Sequence, residues 1–95
     1  MGFPRNAQTD ALFDAILSLK DKEECYAFFE DVCTVKEILS MAQRLWVAEL
    51  LSKGASYQNV CEQTGASSAT VGRVKRCLDY GSGGYQFIIE RQKGE

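Results

Sequence analysis

The stretch whose residue types and spacing could do chemistry is Ser56-Tyr-Gln-Asn-Val60-Cys61-Glu-Gln-Thr-Gly65-Ala66-Ser-Ser-Ala-Thr70-Val71-Gly-Arg73-Val74-Lys-Arg76. It is suited to recognition rather than to making or breaking bonds. Residues 64–78 hold three cations, Arg73, Lys75 and Arg76, and no acid. Those cations and the positive end of a helix both attract phosphate oxygens. Ser67, Ser68, Ala69, Thr70, Gly72 and Arg73 are mostly small or polar, which lets a helix N-terminus approach a major groove closely. The spacing fits a helix-turn-helix. Cys61 is small where two helices must meet, and Gly65, four residues later, suits a turn position that often needs positive φ. Val60, Ala66, Val71 and Val74 are apolar where the second helix packs on the first. Ser67, Ser68, Ala69 and Thr70 are therefore expected to face base edges. Gln58 is expected to touch backbone or an outer base, and Arg73, Lys75 and Arg76 to meet phosphates.

Other chemistries are poorly supplied. The chain has no His, which removes Cys–His and Ser–His–Asp nucleophilic sites. Cys25, Cys33, Cys61 and Cys77 lie 8, 28 and 16 residues apart, with no C-x-x-C pair to hold zinc. No metal and no resident cofactor are expected, and the thiols read as small hydrophobes kept reduced in the cytoplasm. The opening residues lack the basic flank and apolar core of a secretion signal, and no apolar run is long enough to span a membrane. The sequence reads as a complete, cytoplasmic, non-enzymatic chain. At 95 residues it allows a single domain, 1–95.

The net charge of −2 hides an asymmetry. Residues 1–40 carry four basic and eight acidic side chains, a net of −4; residues 41–95 carry seven basic and five acidic ones, a net of +2. A basic half behind an acidic one points to a polyanion-facing surface, here double-stranded DNA.

The elements that must position these residues are helical. Thr9 or Asp10 is expected to cap a first helix with Leu12, Phe13, Ile16, Leu17 and Leu19 on its apolar face. Asp21-Lys-Glu-Glu24 and Thr34-Val-Lys-Glu37 have capping-box spacing. The first opens a helix presenting Tyr26, Phe28, Phe29 and Val32. The second opens a long helix that Gly54 ends, just after Lys53. A short helix over Tyr57–Gln63 follows, then one capped by Ser67 or Ser68 and running to about Asp79. Gly81-Ser-Gly83-Gly84 breaks the chain, and Tyr85–Lys93 forms a last helix. The fold class is all-α, with about six helices and a helix-turn-helix corner over 56–80. The first two helical segments are apolar around much of their circumference, and a nine-residue terminal helix carrying Phe87, Ile88 and Ile89 could not hold together alone. The chain is therefore either a compact six-helix monomer with some exposed apolar surface or one half of a dimer. An interleaved homodimer is the reading adopted, with helices within 9–55 forming its dimerisation part and 85–93 packing against the second copy.

Beyond this, residues 34–80 resemble the tryptophan-repressor family, in its YerC/YecD branch. The likeness is carried by Thr34-Val-Lys-Glu37, Gln43-Arg44-Leu-Trp-Val-Ala-Glu49-Leu-Leu-Ser-Lys-Gly54 and Thr64-Gly65-Ala66-Ser-Ser-Ala69-Thr70-Val71-Gly-Arg73. The resemblance implies an intertwined dimer whose two heads meet successive major grooves of a near-palindromic operator, roughly 34 Å apart. It implies a transcriptional regulator, most simply a repressor. In tryptophan-responsive members two arginines hold the ligand, and Arg44 and Arg73 stand at those positions. Arg44, Arg73, Val74 and Cys77 thus form a candidate pocket for a small-molecule co-repressor. The departures are Val74 where those members have Gly, and Cys77 where they have a Ser that holds the ligand's amino group. They withhold tryptophan itself. Without such a pocket, Arg44 would pair with a helix acid such as Glu49. Two other roles use the same corner: a protein-interaction module, or a replication- or transposition-type DNA-binding domain.

Overall fold

The computed structural model describes residues 2–94 and contains six helices. They are α1 (Ala7–Leu17), α2 (Lys22–Val32), α3 (Val35–Ser52), α4 (Tyr57–Thr64), α5 (Ser68–Tyr80) and α6 (Gly84–Lys93). No strand occurs among the described residues, in line with the all-α expectation. The chain divides into two compact units, 1–35 and 36–95.

In the first unit, helix starts are set by side-chain acceptors. The cap of α1 is Asn6, not Thr9 or Asp10. Its extended backbone places the side-chain oxygen 3.0 Å from the amides of both Gln8 and Thr9. The Thr9 hydroxyl returns the bond by accepting from the Asn6 amide at 3.0 Å. Thr9 is thus the third residue of the helix, and its hydroxyl completes the box instead of opening it. Asp21 caps α2 as expected, accepting from the Glu24 amide at 2.9 Å. Glu24, however, accepts from the amide of Lys20, one residue before the cap. Phe28 and Phe29 pack edge to face, with centroids 5.4 Å apart. Neither α1 nor α2 buries a residue, and Leu17, Tyr26 and Val32 lie open.

The second unit holds the core. α3 has 18 residues, about 27 Å of rod. It stops at Gly54, whose φ of +91° lets the Gly54 amide bond Leu51 C=O and the Ala55 amide reach back to Leu50 C=O. That pair of bonds is the Schellman ending, which satisfies otherwise orphaned carbonyls. Val47 and Ala48 of α3, Val60 of α4, Ala66 of the turn, Val71 and Val74 of α5, and Ile89 of α6 form one buried cluster. Leu50, Leu51, Ala55, Cys61, Leu78 and Tyr85 pack around it. Valines and alanines are short and, for valine, stiff at χ1, so helix axes can approach closely without leaving voids. Each fully buried valine contributes about 1.5–3 kcal/mol by leaving water. α6 is tied back by Gln86, whose side-chain amide donates to Leu78 C=O at 3.3 Å.

Candidate nucleic-acid interface

α4 and α5 are joined by a short corner held by backbone and side-chain hydrogen bonds. Ser56 caps α4, accepting from the Asn59 amide at 3.2 Å. At the other end Thr64 has two tasks. Its hydroxyl donates to Val60 C=O at 2.7 Å and accepts from the Ala66 amide at 3.1 Å. Gly65 turns the chain at φ +76°, its amide bonding Cys61 C=O at 2.9 Å. The αL basin is open to glycine and costs other residues energy. Ala66 is then driven into the core while Ser67 stays extended and caps α5, accepting from the Thr70 amide at 3.1 Å. Cys61 is half-buried and packs against the cluster.

The exposed face of α5 follows from which face is buried. Val71, Val74 and Leu78 point to the core, so the helical period of 3.6 puts Ala69, Arg73, Arg76 and Tyr80 on the opposite side. All four are exposed. Ser68 and Gly72 flank this stripe on one edge, Thr70 and Cys77 on the other. The Thr70 hydroxyl lies 3.1 Å from that of Ser67, which fixes its rotamer at the mouth of the helix. Gln58 is exposed in the first turn of α4 and donates to Glu62 at 3.4 Å.

Lys75 stands apart from the other two cations. It faces the side of α5 nearer the core and pairs with Asp79 at 3.3 Å. Arg73 and Arg76 are directed to solvent. The i,i+4 spacing of Lys75 and Asp79 was available in the sequence as a signal of this pairing. A second contact had no such signal: Gln43 of α3 donates to Thr64 C=O at 3.3 Å, 21 residues away, bracing the end of α4.

Of the effector-pocket candidates, Val74 is 1% exposed and belongs to the core. Arg44 is half-buried and donates to Ser40 on the same helix at 3.3 Å. Arg73 and Cys77 are exposed on α5. No group of three or more potential metal ligands occurs among the described residues, and none of their helices is long and apolar enough to cross a membrane.

A capped two-helix corner on a small valine core, presenting a 13-residue helix with exposed cations, defines a helix-turn-helix protein. The Trp repressor protein family matches residues 7–93, and the chain belongs to that family. It is 54% identical over 89 residues to YerC of Bacillus subtilis (strain 168), covering 94% of this chain and 86% of YerC. Among solved structures it is similar to a TrpR-like protein from Eubacterium eligens ATCC 27750, with a TM-score of 0.91 and 50% identity over 94% of this chain and 92% of that one. A candidate Trp repressor from Staphylococcus aureus gives a TM-score of 0.91 and 49% identity, covering 96% of this chain and 91% of that one.

Proposed function

We propose that this protein is a cytoplasmic, sequence-specific DNA-binding regulator that represses by occupying a near-palindromic operator as a homodimer. The observation that carries the reading is the exposed face of α5: small residues at its capped N-terminus, then Arg73 and Arg76, on a corner braced by Thr64, Gly65 and Gln43. Ser68, Ala69 and Thr70 read base edges, while Gln58, Arg73 and Arg76 meet the backbone. Ser67 is spent on the cap, so its contribution is to hold Thr70. Lys75 joins the phosphates only by giving up Asp79.

The dimer is supported by apolar surface. α1 and α2 bury none of their residues, and Leu12, Phe13, Leu17, Tyr26 and Val32 are exposed on them. Val35, Leu39 and Trp46 of α3 and Phe87 and Ile88 of α6 are exposed as well. A second copy is the occupant that would cover these faces and set two heads one helical turn apart.

A tryptophan response is left out of this reading, because Val74 occupies core space and Cys77 is a weak hydrogen-bonding group. Arg44 and Arg73 are the residues that would receive another carboxylate-bearing effector, and binding assays with and without a pool of aromatic metabolites test that.

Gel-shift titration with the two-variant pair Arg73→Ala and Thr70→Ala tests the main proposal. Arg73→Ala should weaken binding to every duplex, whereas Thr70→Ala should redistribute preference among sequences. Loss of all wild-type binding at low salt would instead favour a protein-interaction role for the corner.

A further inference from the structure

The interior of α5 contains a glycine that the fold does not require. Gly72 is the fifth residue of a 13-residue helix. It is not among the residues with positive φ, so its backbone makes no demand that alanine could not meet. A Cβ built on it would find no atom within 4 Å, so no neighbour excludes a side chain either. Glycine in a helix interior nonetheless weakens folding, by about fivefold in the equilibrium constant relative to alanine. Gly65, by contrast, is explained by its φ of +76°. Nothing inside the chain accounts for Gly72.

Gly72 is half-buried, at the edge of the exposed stripe. One turn before it on the same edge of α5 stands Ser68, one turn after it stands the exposed Arg76, and Ala69 lies beside it. Arg73 and Arg76 are the two cations directed to solvent on this helix. Close approach of an external surface to a helix backbone is one of the uses for which glycine is suited.

We propose that Gly72 is the specificity-determining point of closest approach between α5 and the major-groove floor, where a base edge packs against the helix backbone. The inference rests on the DNA-binding reading and adds a residue to it. A methyl group here would hold the helix off the base edge while leaving the phosphate contacts of Arg73 and Arg76 reachable. Base-specific affinity would fall and non-specific affinity would not.

The test sets stability against binding. Gly72→Ala should raise Tm by about 4 °C, as removal of a helix-interior glycine does. It should weaken the complex with a selected operator duplex by about tenfold, the scale of one lost base contact. Binding to a scrambled duplex of equal length should change less than about twofold. Gly72→Leu should extend the operator loss further while still folding, as judged by far-UV circular dichroism. The proposal is overturned if Gly72→Ala binds the operator as well as the wild type, or if operator and scrambled duplexes lose affinity equally. Failure of the wild-type protein to bind any duplex overturns the DNA reading itself, which is a separate result from either of these.

Discussion

Replacing Gly65 by alanine isolates the energetic cost of the corner between α4 and α5. The residue sits at φ +76°, and an added Cβ would find no atom within 4 Å. Steric clash with neighbours therefore contributes nothing, and the penalty is that of an L-residue in the left-handed region, about 1–2 kcal/mol. Alanine also restricts the unfolded chain, which returns roughly 0.4–1 kcal/mol. The net expectation is a loss of about 1 kcal/mol, or roughly fivefold in the folding equilibrium. Asparagine tolerates the region better and should lose less; valine, branched at Cβ, should lose more. Urea unfolding at fixed protein concentration reads the series as shifts in midpoint at constant slope. Gly54 is an internal control. Its φ is +91°, again with open space around the added atom, but it ends α3 and not the reading corner. Gly54→Ala should match Gly65→Ala in stability loss and leave DNA affinity unchanged, whereas Gly65→Ala should lower it. Equal stability of the glycine, asparagine, alanine and valine forms would refute the backbone argument. Equal DNA affinity of the two alanine variants would refute the claim that the corner's angle matters.

Two further outcomes follow from named contacts. Val71 is fully buried, so Val71→Ala should cost about 2 kcal/mol or more from lost burial and the remaining cavity, measurable in the same unfolding assay. Asp79→Asn removes the partner of Lys75; because the pair is partly exposed, stability should move by less than about 0.5 kcal/mol. The freed Lys75 should raise DNA affinity a few-fold at low salt and steepen the salt dependence. Unchanged affinity and slope would show that Lys75 never reaches phosphate.

Much of the fold is written in local signals. Asp21, Ser56 and Ser67 announce helix starts because each places a short polar side chain within reach of an amide two or three residues on. Gly54 and Gly65 announce stops for the conformational reason above. The start of α1 escaped the same logic because Asn6, Thr9 and Asp10 are all good caps, and the apolar periodicity begins only at Leu12. What decides among them is the double acceptor geometry of Asn6 with the return bond to Thr9, which depends on the path of the chain before the helix. Site residues divide in the same way. The exposed stripe of Arg73 and Arg76 follows from the period of α5 once Val71 and Val74 are assigned to the core. The diversion of Lys75 to Asp79 was legible at i,i+4 spacing. The bridge from Gln43 to Thr64 was not, because a hydrogen bond across 21 residues leaves no periodic trace. That Gly72 is uncrowded also required coordinates, since sequence alone does not tell a crowded glycine from an open one.

Salt-dependent binding to selected duplexes tests the central claim most directly. Random-sequence selection with the wild-type chain should enrich two-fold-symmetric sites whose halves are one helical turn apart. With Arg73 and Arg76 from each of two subunits on phosphates, the slope of log K against log salt should be about −4. Enrichment of no sequence, or a complex whose affinity does not change with salt, would contradict the account.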